Sequence, residues 1–296
     1  MKIELSIITV NYNGLDDTCE LIDSITFSDR MEVIVVDNGS ISDEASAIES
    51  RYPHVKVVRS AENLGFAGGN NLGVKASHGD YLFFINNDTI LPPDFDAETL
   101  VGRLRSAPSV GAVCPKIRFA WNDKPVQFAG YTPLSPVTLR NSSIGFGQAD
   151  HGQFDTAHTT PYAHGAAMMV KREAVEKAGL MPECYFLYYE ELDWSLMIRR
   201  TGYEIWYDPV TTVYHKESQT TGADSPLRTY YITRNRLLFA RRNIARPLRW
   251  LSYFYIILIA CLKDAVLNLL RRRTDLSKAV VAGVCDFLRN RQGKKQ

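Results

Sequence analysis

The sequence lacks cysteines at any diagnostic spacing. Cys19, Cys114, Cys184, Cys261 and Cys285 are odd in number, scattered and without a C-x-x-C pair. That excludes a disulfide framework and a zinc knuckle and fits a reducing compartment. There is no G-x-G-x-x-G and no Gly-Lys-Ser/Thr loop, since the glycines of "NLGFAGGNN" fall at Gly65, Gly68 and Gly69. No repeat of fixed period and no low-complexity tract occur. The opening "MKIELSIITVNYNG" enters an alternating apolar strand with no basic-then-apolar leader, so no signal peptide is expected and the cytosol is the default. Long apolar runs are also missing. The most apolar stretch, "WLSYFYIILIACL" (250–262), is followed by Lys263 and Asp264 and falls short of the roughly 20 residues a bilayer span needs.

Net charge is nearly absent too, at +1, but it is unevenly spread. From Arg241 onward 13 basic and three acidic residues give +10, which leaves −9 for the first 240 residues. A mildly acidic body with a basic tail points to an anionic surface as the tail's partner. An apolar content of 45% over 296 residues is ordinary for one α/β domain with an appendage.

Strand-then-helix units fill the first ninety residues. "LSIITVNYN", "EVIVVDNGS", "VKVVRS" and "DYLFFINND" read as strands, separated by helices in "GLDDTCELIDSITF", "SDEASAIESRY" and "GFAGGNNLGVKASHG". Short continuous apolar strands alternating with helices predict an α/β fold with a mostly parallel, Rossmann-like sheet covered on both faces. Ligands of such sheets sit outside the carboxyl ends of the strands. Those ends are Asn11, Asp37 and the cluster Asn86, Asn87, Asp88. Turn formation explains one polar residue after the apolar run Tyr81 to Ile85 better than it explains three.

Further on, residues 94 to 107 read as a helix and "VGAVCPKIRF" as a strand. Residues 120 to 160, rich in Gly, Ser, Thr, Asn and Pro, read as hairpins or long loops, a lid or acceptor wall. "KREAVEKAG" is a helix closed by Gly179, and "EELDWSLMIRRTG" a second with acids in its first turn. On that second helix Glu190 and Asp193 share a face, while Glu191 lies about 100° from Glu190. The three are therefore not expected to point into one cleft.

The segments "SIITVNYNG", "VIVVDNGS", "NLGFAGGNN", "FFINNDT", "HGAAMMVKREAVEKAG", "YFLYYEELDW", "VYHKES" and "YYITRNRLLFARRN" together resemble family 2 glycosyltransferases of the GT-A fold, most closely the rhamnosyltransferase-like members. The resemblance implies a catalytic domain over residues 1–243, nucleotide-binding mainly in 1–90 and acceptor-binding mainly in 91–243, before a basic helical tail over 244–296. It implies a D-x-D-type element at Asn86, Asn87 and Asp88, with Asp88 a direct ligand of Mg2+ or Mn2+ and Asn86 on the ribose or a metal-bound water. His215 would be the second metal ligand, and Lys216 would either neutralise phosphate or sit in solvent. Glu191 would be the catalytic base of an inverting transfer, with Glu190 its understudy and Asp193 ordering the site or the acceptor. Thr9, Asn11 and Asp37 would line the base pocket, with Asn63 and Gly65 in the Gly-rich loop. His164 would face acceptor or diphosphate, and Arg234 with Asn235 would pack a covering helix.

The implied donor is a nucleotide-diphospho-sugar, first of all deoxythymidine-diphosphate rhamnose. The implied acceptor is a glycan or lipid-linked glycan of a bacterial surface polysaccharide; nucleic acid is not an expected partner. The rival reading is a non-catalytic nucleotide-sugar-binding scaffold at the membrane. A nucleotidyltransferase would want a basic Gly-rich signature near the first strand, which "VNYNGLDD" lacks. In the tail, Trp and Tyr among apolar residues, with Arg246 and Arg249 before and Arg271 to Arg273 after, predict a helix lying in the cytosolic membrane interface. Burial in a core or in a homo-oligomer seam is the alternative.

Overall fold

The fold follows from that alternation of apolar strand and helix. In the computed structural model, which describes residues 2–121, 123–217 and 225–295, the first half runs β1 (Leu5–Asn11), α1 (Leu15–Asp23), β2 (Met31–Asp37), α2 (Glu44–Arg51), β3 (Lys56–Arg59), α3 (Gly65–Ala76) and β4 (Tyr81–Ile85). These strands pair in parallel in the order β3-β2-β1-β4. Right-handed crossovers in that order put α1 and α2 on one face and α3 on the other. They also place a topological switch point between β1 and β4. Two glycines bring α3 onto β1: a Cβ on Gly69 would meet Val10 Cγ1 at 2.8 Å, and one on Gly73 would meet Ile8 Cγ2 at 2.4 Å.

The second half comprises β5 (Thr89–Ile90), α4 (Ala97–Arg105), β6 (Val110–Phe119), β7 (Val126–Phe128), β8 (His158–Thr159), β9 (Ala167–Lys171), α5 (Arg172–Ala178), α6 (Glu190–Arg200), β10 (Glu204–His215) and α7 (Pro226–Asn243). The sheet continues β4-β9-β6-β10-β5. Here the parallel order ends. β9 runs antiparallel to β4, with Ile85 opposite Ala167 and Tyr81 opposite Lys171, so the ten-stranded sheet is mixed. The reason is the long connection over 120–160, which returns the chain to the carboxyl end of β4 and sends β9 back down. Buried Lys116 ties that connection to Asp150 and Asp155.

The tail differs from its sequence reading. Lys263 and Asp264 do not interrupt it: α8 is continuous over Arg246–Leu270, 25 residues or about 37 Å, with a π-helical stretch at Tyr255–Cys261. Ser252, Ile256, Ala260 and Ala265 are buried, while Leu251, Phe254, Leu258, Leu262 and Leu269 on other faces are exposed. After it, α9 (Thr274–Leu288) packs on α7. Gly283 permits close contact, since a Cβ there would lie 2.9 Å from the Tyr230 carbonyl.

Candidate active site

A crevice of ≈ 1370 Å³ opens at the carboxyl ends of β1, β4 and β10. The strand ends present Val10, Tyr12 and Asn38 to it, not Thr9, Asn11 and Asp37. Side chains alternate across a sheet, so the odd-numbered residues of β1 point to the opposite face. Thr9 is buried there with its hydroxyl unpartnered. Asn11 Nδ2 donates to Asp37 Oδ1 at 3.1 Å and to Glu44 Oε2 at 2.8 Å, and its Oδ1 accepts from Thr18 at 2.8 Å. This network braces the crevice wall from behind. Thr9, Asn11 and Asp37, expected at a base pocket, thus stand behind the crevice wall, one residue of strand parity from those that line it.

Asn38, which the sequence reading did not single out, shapes that wall instead. Its Nδ2 donates to the Gly65 carbonyl at 3.1 Å, and its Oδ1 accepts from Leu64 N at 3.0 Å. Asn63 Oδ1 accepts from Gly65 N at 2.8 Å. Gly65 is required as glycine: its φ is +76°, and a Cβ would meet the Phe186 carbonyl oxygen at 2.3 Å. Phe66 N donates to that same oxygen at 2.9 Å. The Gly-rich turn therefore touches the loop that precedes α6.

The three polar residues after β4 part company. Asn87 lines the crevice, but its Nδ2 is committed to Thr18 Oγ1 at 3.0 Å, a structural tie. Asn86 and Asp88 line the crevice with His215. His215 Nδ1 lies 2.8 Å from Gln127 Oε1. An amide oxygen only accepts, so Nδ1 carries a proton; whenever the ring is neutral its lone pair is on Nε2. That nitrogen is 3.1 Å from Asp88 Oδ1 and 3.4 Å from Asn86 Nδ2. The two atoms approach as two ligands of one cation would, and a second ring proton donated to Asp88 would satisfy the same distance. An acceptor on Nδ1 is also how a metal-binding histidine is held in the right tautomer. One carboxylate, one amide and one imidazole fit a hard divalent ion that completes its shell with water or phosphate oxygens. Among the described residues no third His, Cys, Asp or Glu joins the pair.

Gln127 belongs to the loop-rich stretch and carries no sequence signal of this role. Lys216 lines the crevice, but its Nζ bonds Asp17 and Glu20 of α1, each at 2.6 Å. Its charge is thus neutralised within the protein. Ser218, the end of the His-Lys-Glu-Ser segment, lies outside the described residues.

Glu190 and Glu191 face the crevice from the first turn of α6. Helical Cβ atoms tilt toward the N-terminus, so two adjacent residues at a helix start both reach a space beyond its end. Asp193 does not. It is buried and bonded to Tyr185 OH at 3.0 Å, to Asn243 Nδ2 at 2.9 Å and to Arg242, tying α6 to α7. Asp193, expected to order the site or the acceptor, bonds within the protein, one turn in from the helix end.

Glu190 is 3% exposed, with Oε2 unpartnered. Burial, and then the charge of Glu191, push its carboxyl well above the ordinary range. Burial also raises Glu191. Like charges on neighbouring buried carboxyls cannot both be comfortable, so the pair favours one proton shared between two sites, a suitable arrangement for a base near neutrality.

The loop that delivers this pair is strained. Phe186, Tyr188 and Tyr189 have φ of 71°, 67° and 81°, at roughly 1–3 kcal/mol each. It is held by α7. Asn235 Nδ2 donates to the carbonyls of Tyr185 at 3.0 Å, Leu187 at 2.6 Å and Tyr188 at 3.0 Å, and Arg234 Nη2 donates to Tyr185 O at 2.7 Å. Arg234 and Asn235, expected to pack a covering helix, clamp the loop bearing the acids. His164 stacks on Tyr131 at 5.9 Å and accepts from Ala166 N at 3.1 Å through Nδ1. Burial, and then His215, push its pKa down to about 3. It is therefore a neutral imidazole, with Nε2–H its remaining donor, and it lines the crevice.

Known proteins place this geometry. The sequence model of glycosyl transferase family 2 matches residues 6–179, more than half of the chain. The low-salt glycan biosynthesis hexosyltransferase Agl10 of Haloferax volcanii is 26% identical over all of this chain and 94% of its own length. The N-acetylglucosaminyl-diphospho-decaprenol L-rhamnosyltransferase of Mycobacterium tuberculosis is 25% identical over 74% of this chain and 79% of its own. Among solved structures, the mannosyltransferase PcManGT from Pyrobaculum calidifontis, in complex with GDP-Man and Mn2+, superimposes with a TM-score of 0.60 at 18% identity. That match covers 98% of this chain and 88% of the other. This likeness shows the GT-A fold.

Proposed function

The chain belongs to glycosyl transferase family 2, and from that premise we propose that it is a metal-dependent, inverting glycosyltransferase acting on a surface glycan or lipid-linked glycan. Membership makes it a transferase that uses a nucleotide-sugar donor. Resemblance to the rhamnosyltransferase-like members, together with the mycobacterial relative, supports deoxythymidine-diphosphate rhamnose as the first donor to test. The observation that carries metal dependence is the approach of His215 Nε2 to Asp88 Oδ1 at 3.1 Å, with Asn86 beside them at the crevice.

Asp88 and His215, with Asn86 beside them, would hold Mg2+ or Mn2+. The bound ion would neutralise charge on the leaving diphosphate. Val10, Tyr12, Asn38, Asn63 and Gly65 form the wall for base and ribose. In the transfer, the bond from the anomeric carbon to the donor phosphate oxygen breaks and a bond to the acceptor hydroxyl oxygen forms. The nucleoside diphosphate departs with the electron pair, and Glu191 takes the hydroxyl proton. Glu190, more deeply buried beside it, keeps its own proton and leaves Glu191 as the anion. His164 donates from Nε2–H as a neutral group.

The exposed face of α8, with Trp250, Leu251, Phe254, Leu258 and Leu262, supports contact with the cytosolic face of a membrane. The helix is long and apolar enough to cross one. Its opposite face is already buried on the protein, and that favours lying flat, with Arg246 and Arg249 at one end and Arg271 to Arg273 at the other.

A thermal-shift screen of nucleotides and nucleotide sugars, with and without Mn2+, tests the reading. We expect a metal-dependent rise in the unfolding temperature with one nucleoside diphosphate and its sugar, absent in Asp88→Ala. A metal-dependent shift that persists in Asp88→Ala refutes the ligand assignment.

A further inference from the structure

We propose that the segment following α9 is part of the catalytic crevice, and that Lys294 and Lys295 bind a phosphate group of one of the two substrates there. The inference rests on the reading of the crevice as a glycosyltransferase site.

The tail is seated by specific bonds. Gly293, at a φ of +69°, turns the chain back toward α7. Its N donates to the Cys184 carbonyl at 2.8 Å, and its carbonyl accepts from Arg234 Nη1 at 2.7 Å. Lys295 N donates to Tyr231 OH at 2.8 Å. These contacts bring Lys294 and Lys295 to the crevice lining beside Tyr231, Arg228 and Tyr188.

The charges along the crevice then sort themselves. Its acids are Asp88, Glu190, Glu191 and Glu217, and its cations are Lys216, Arg228, Lys294 and Lys295. Lys216 is neutralised by Asp17 and Glu20, and Arg228 lies over the Tyr188 ring at 5.8 Å. Lys294 and Lys295 form no ion pair with a described residue; the Lys295 ammonium lies only over the Tyr230 ring at 4.6 Å. Two adjacent ammonium groups with no internal counter-charge, held at a cleft that receives a diphosphate, meet the requirement for phosphate binding by point charges. The shared chemistry is an organic phosphate, either the donor's diphosphate or a phosphate linking an acceptor glycan to its lipid.

The same buried guanidinium that receives the tail also holds the catalytic loop, because Arg234 Nη2 donates to Tyr185 O. Arg234 is thus a positioning residue for both.

The experiment uses the full chain with Lys294 and Lys295 both changed to alanine, and separately both changed to arginine. Calorimetry with dTDP and UDP in Mn2+ reads donor-side phosphate binding, and steady-state kinetics reads the acceptor KM. We expect the alanine pair to weaken one of these about tenfold or more, the scale of losing a charge-assisted hydrogen bond, with the arginine pair close to wild type. A changed nucleotide Kd assigns the lysines to the donor, and a changed acceptor KM alone assigns them to the acceptor. Both quantities within twofold of wild type, or an arginine pair as impaired as the alanine pair, overturns the proposal. Wild-type protein that binds neither nucleotide and transfers no sugar overturns the glycosyltransferase reading itself, which is a different result.

Discussion

Glu190 and Glu191 are adjacent in sequence yet set apart by burial, and their titration follows from that. Burial raises both carboxyls, and a base works only when ionised. Transfer therefore rises with pH through a value above the ordinary 4.5 of Glu. Glu191→Gln removes the base: donor binding should persist while kcat falls by about 10²–10⁴. Glu190 still holds its proton when Glu191 ionises, so Glu190→Gln should leave the acid limb of the pH–rate profile near its wild-type position with transfer retained. The stability of Glu190→Gln has a defined sign too. A carboxyl whose folded pKa is raised stabilises fully below its unfolded pKa, and that contribution is lost as pH rises through the folded value. The unfolding temperature of Glu190→Gln should therefore gain on wild type as pH increases. Loss of transfer in Glu190→Gln with activity retained in Glu191→Gln would reverse the roles. Among single residues, the juxtaposition of Asp88, His215 and the Glu pair at one crevice is what motif resemblance leads one to expect. Gln127 was not legible, because a glutamine on the three-residue strand β7 acquires its part only when the sheet brings His215 to it. The strand ends at Thr9, Asn11 and Asp37 were identifiable, but which parity faces the crevice depends on which helix covers which face.

At the scale of elements, the loop from Tyr185 to Tyr189 is held against its local preferences. Phe and Tyr rarely adopt left-handed dihedrals, and nothing in "YFLYYEE" signals a strained turn. The signal lies 45 to 50 residues away in Asn235, whose one amide group serves three carbonyls. Asn235→Ala should leave those buried acceptors short of a donor, at about 1–3 kcal/mol, and let the loop relax toward ordinary dihedrals. Thermal unfolding reads the first effect. For the second, kcat should fall while nucleotide affinity, built largely on the β1 to α3 wall, stays near wild type. A lowered unfolding temperature with unchanged kcat would mean that the clamp serves folding alone. The same lesson applies to α6. Helical spacing correctly separated Glu191 from the Glu190–Asp193 face, but the crevice abuts the end of the helix rather than its side, so axial position decides which acids reach it.

At the scale of the molecule, the α/β order of the first four strands was readable because each strand is a continuous apolar run between helices. In the second half α4, β6, α5 and α6 were readable too; the antiparallel β9 was not, because a return through a long loop leaves no periodic trace. The tail shows the largest difference, as Lys263 and Asp264 suggested a break where α8 runs on. A long helix accommodates two charges when they lie on its exposed side, and both are exposed. What remains is an apolar stripe flanked by arginines, on a molecule whose body is acidic. Each fully buried large side chain contributes about 1.5–3 kcal/mol, and each basic residue near an anionic surface about 1 kcal/mol, enough together for reversible attachment. Wild-type protein should therefore sediment with anionic vesicles, less with neutral ones, and be released by salt. Changing Phe254, Leu258 and Leu262 to glutamate should abolish sedimentation without lowering the unfolding temperature, since those side chains are 56%, 54% and 58% exposed. A wild-type dimer that ignores vesicles and becomes monomeric on the same substitutions would assign the stripe to a seam between copies of the chain. Loss of fold in the triple variant would place it in the core, against the exposure on which membrane attachment depends.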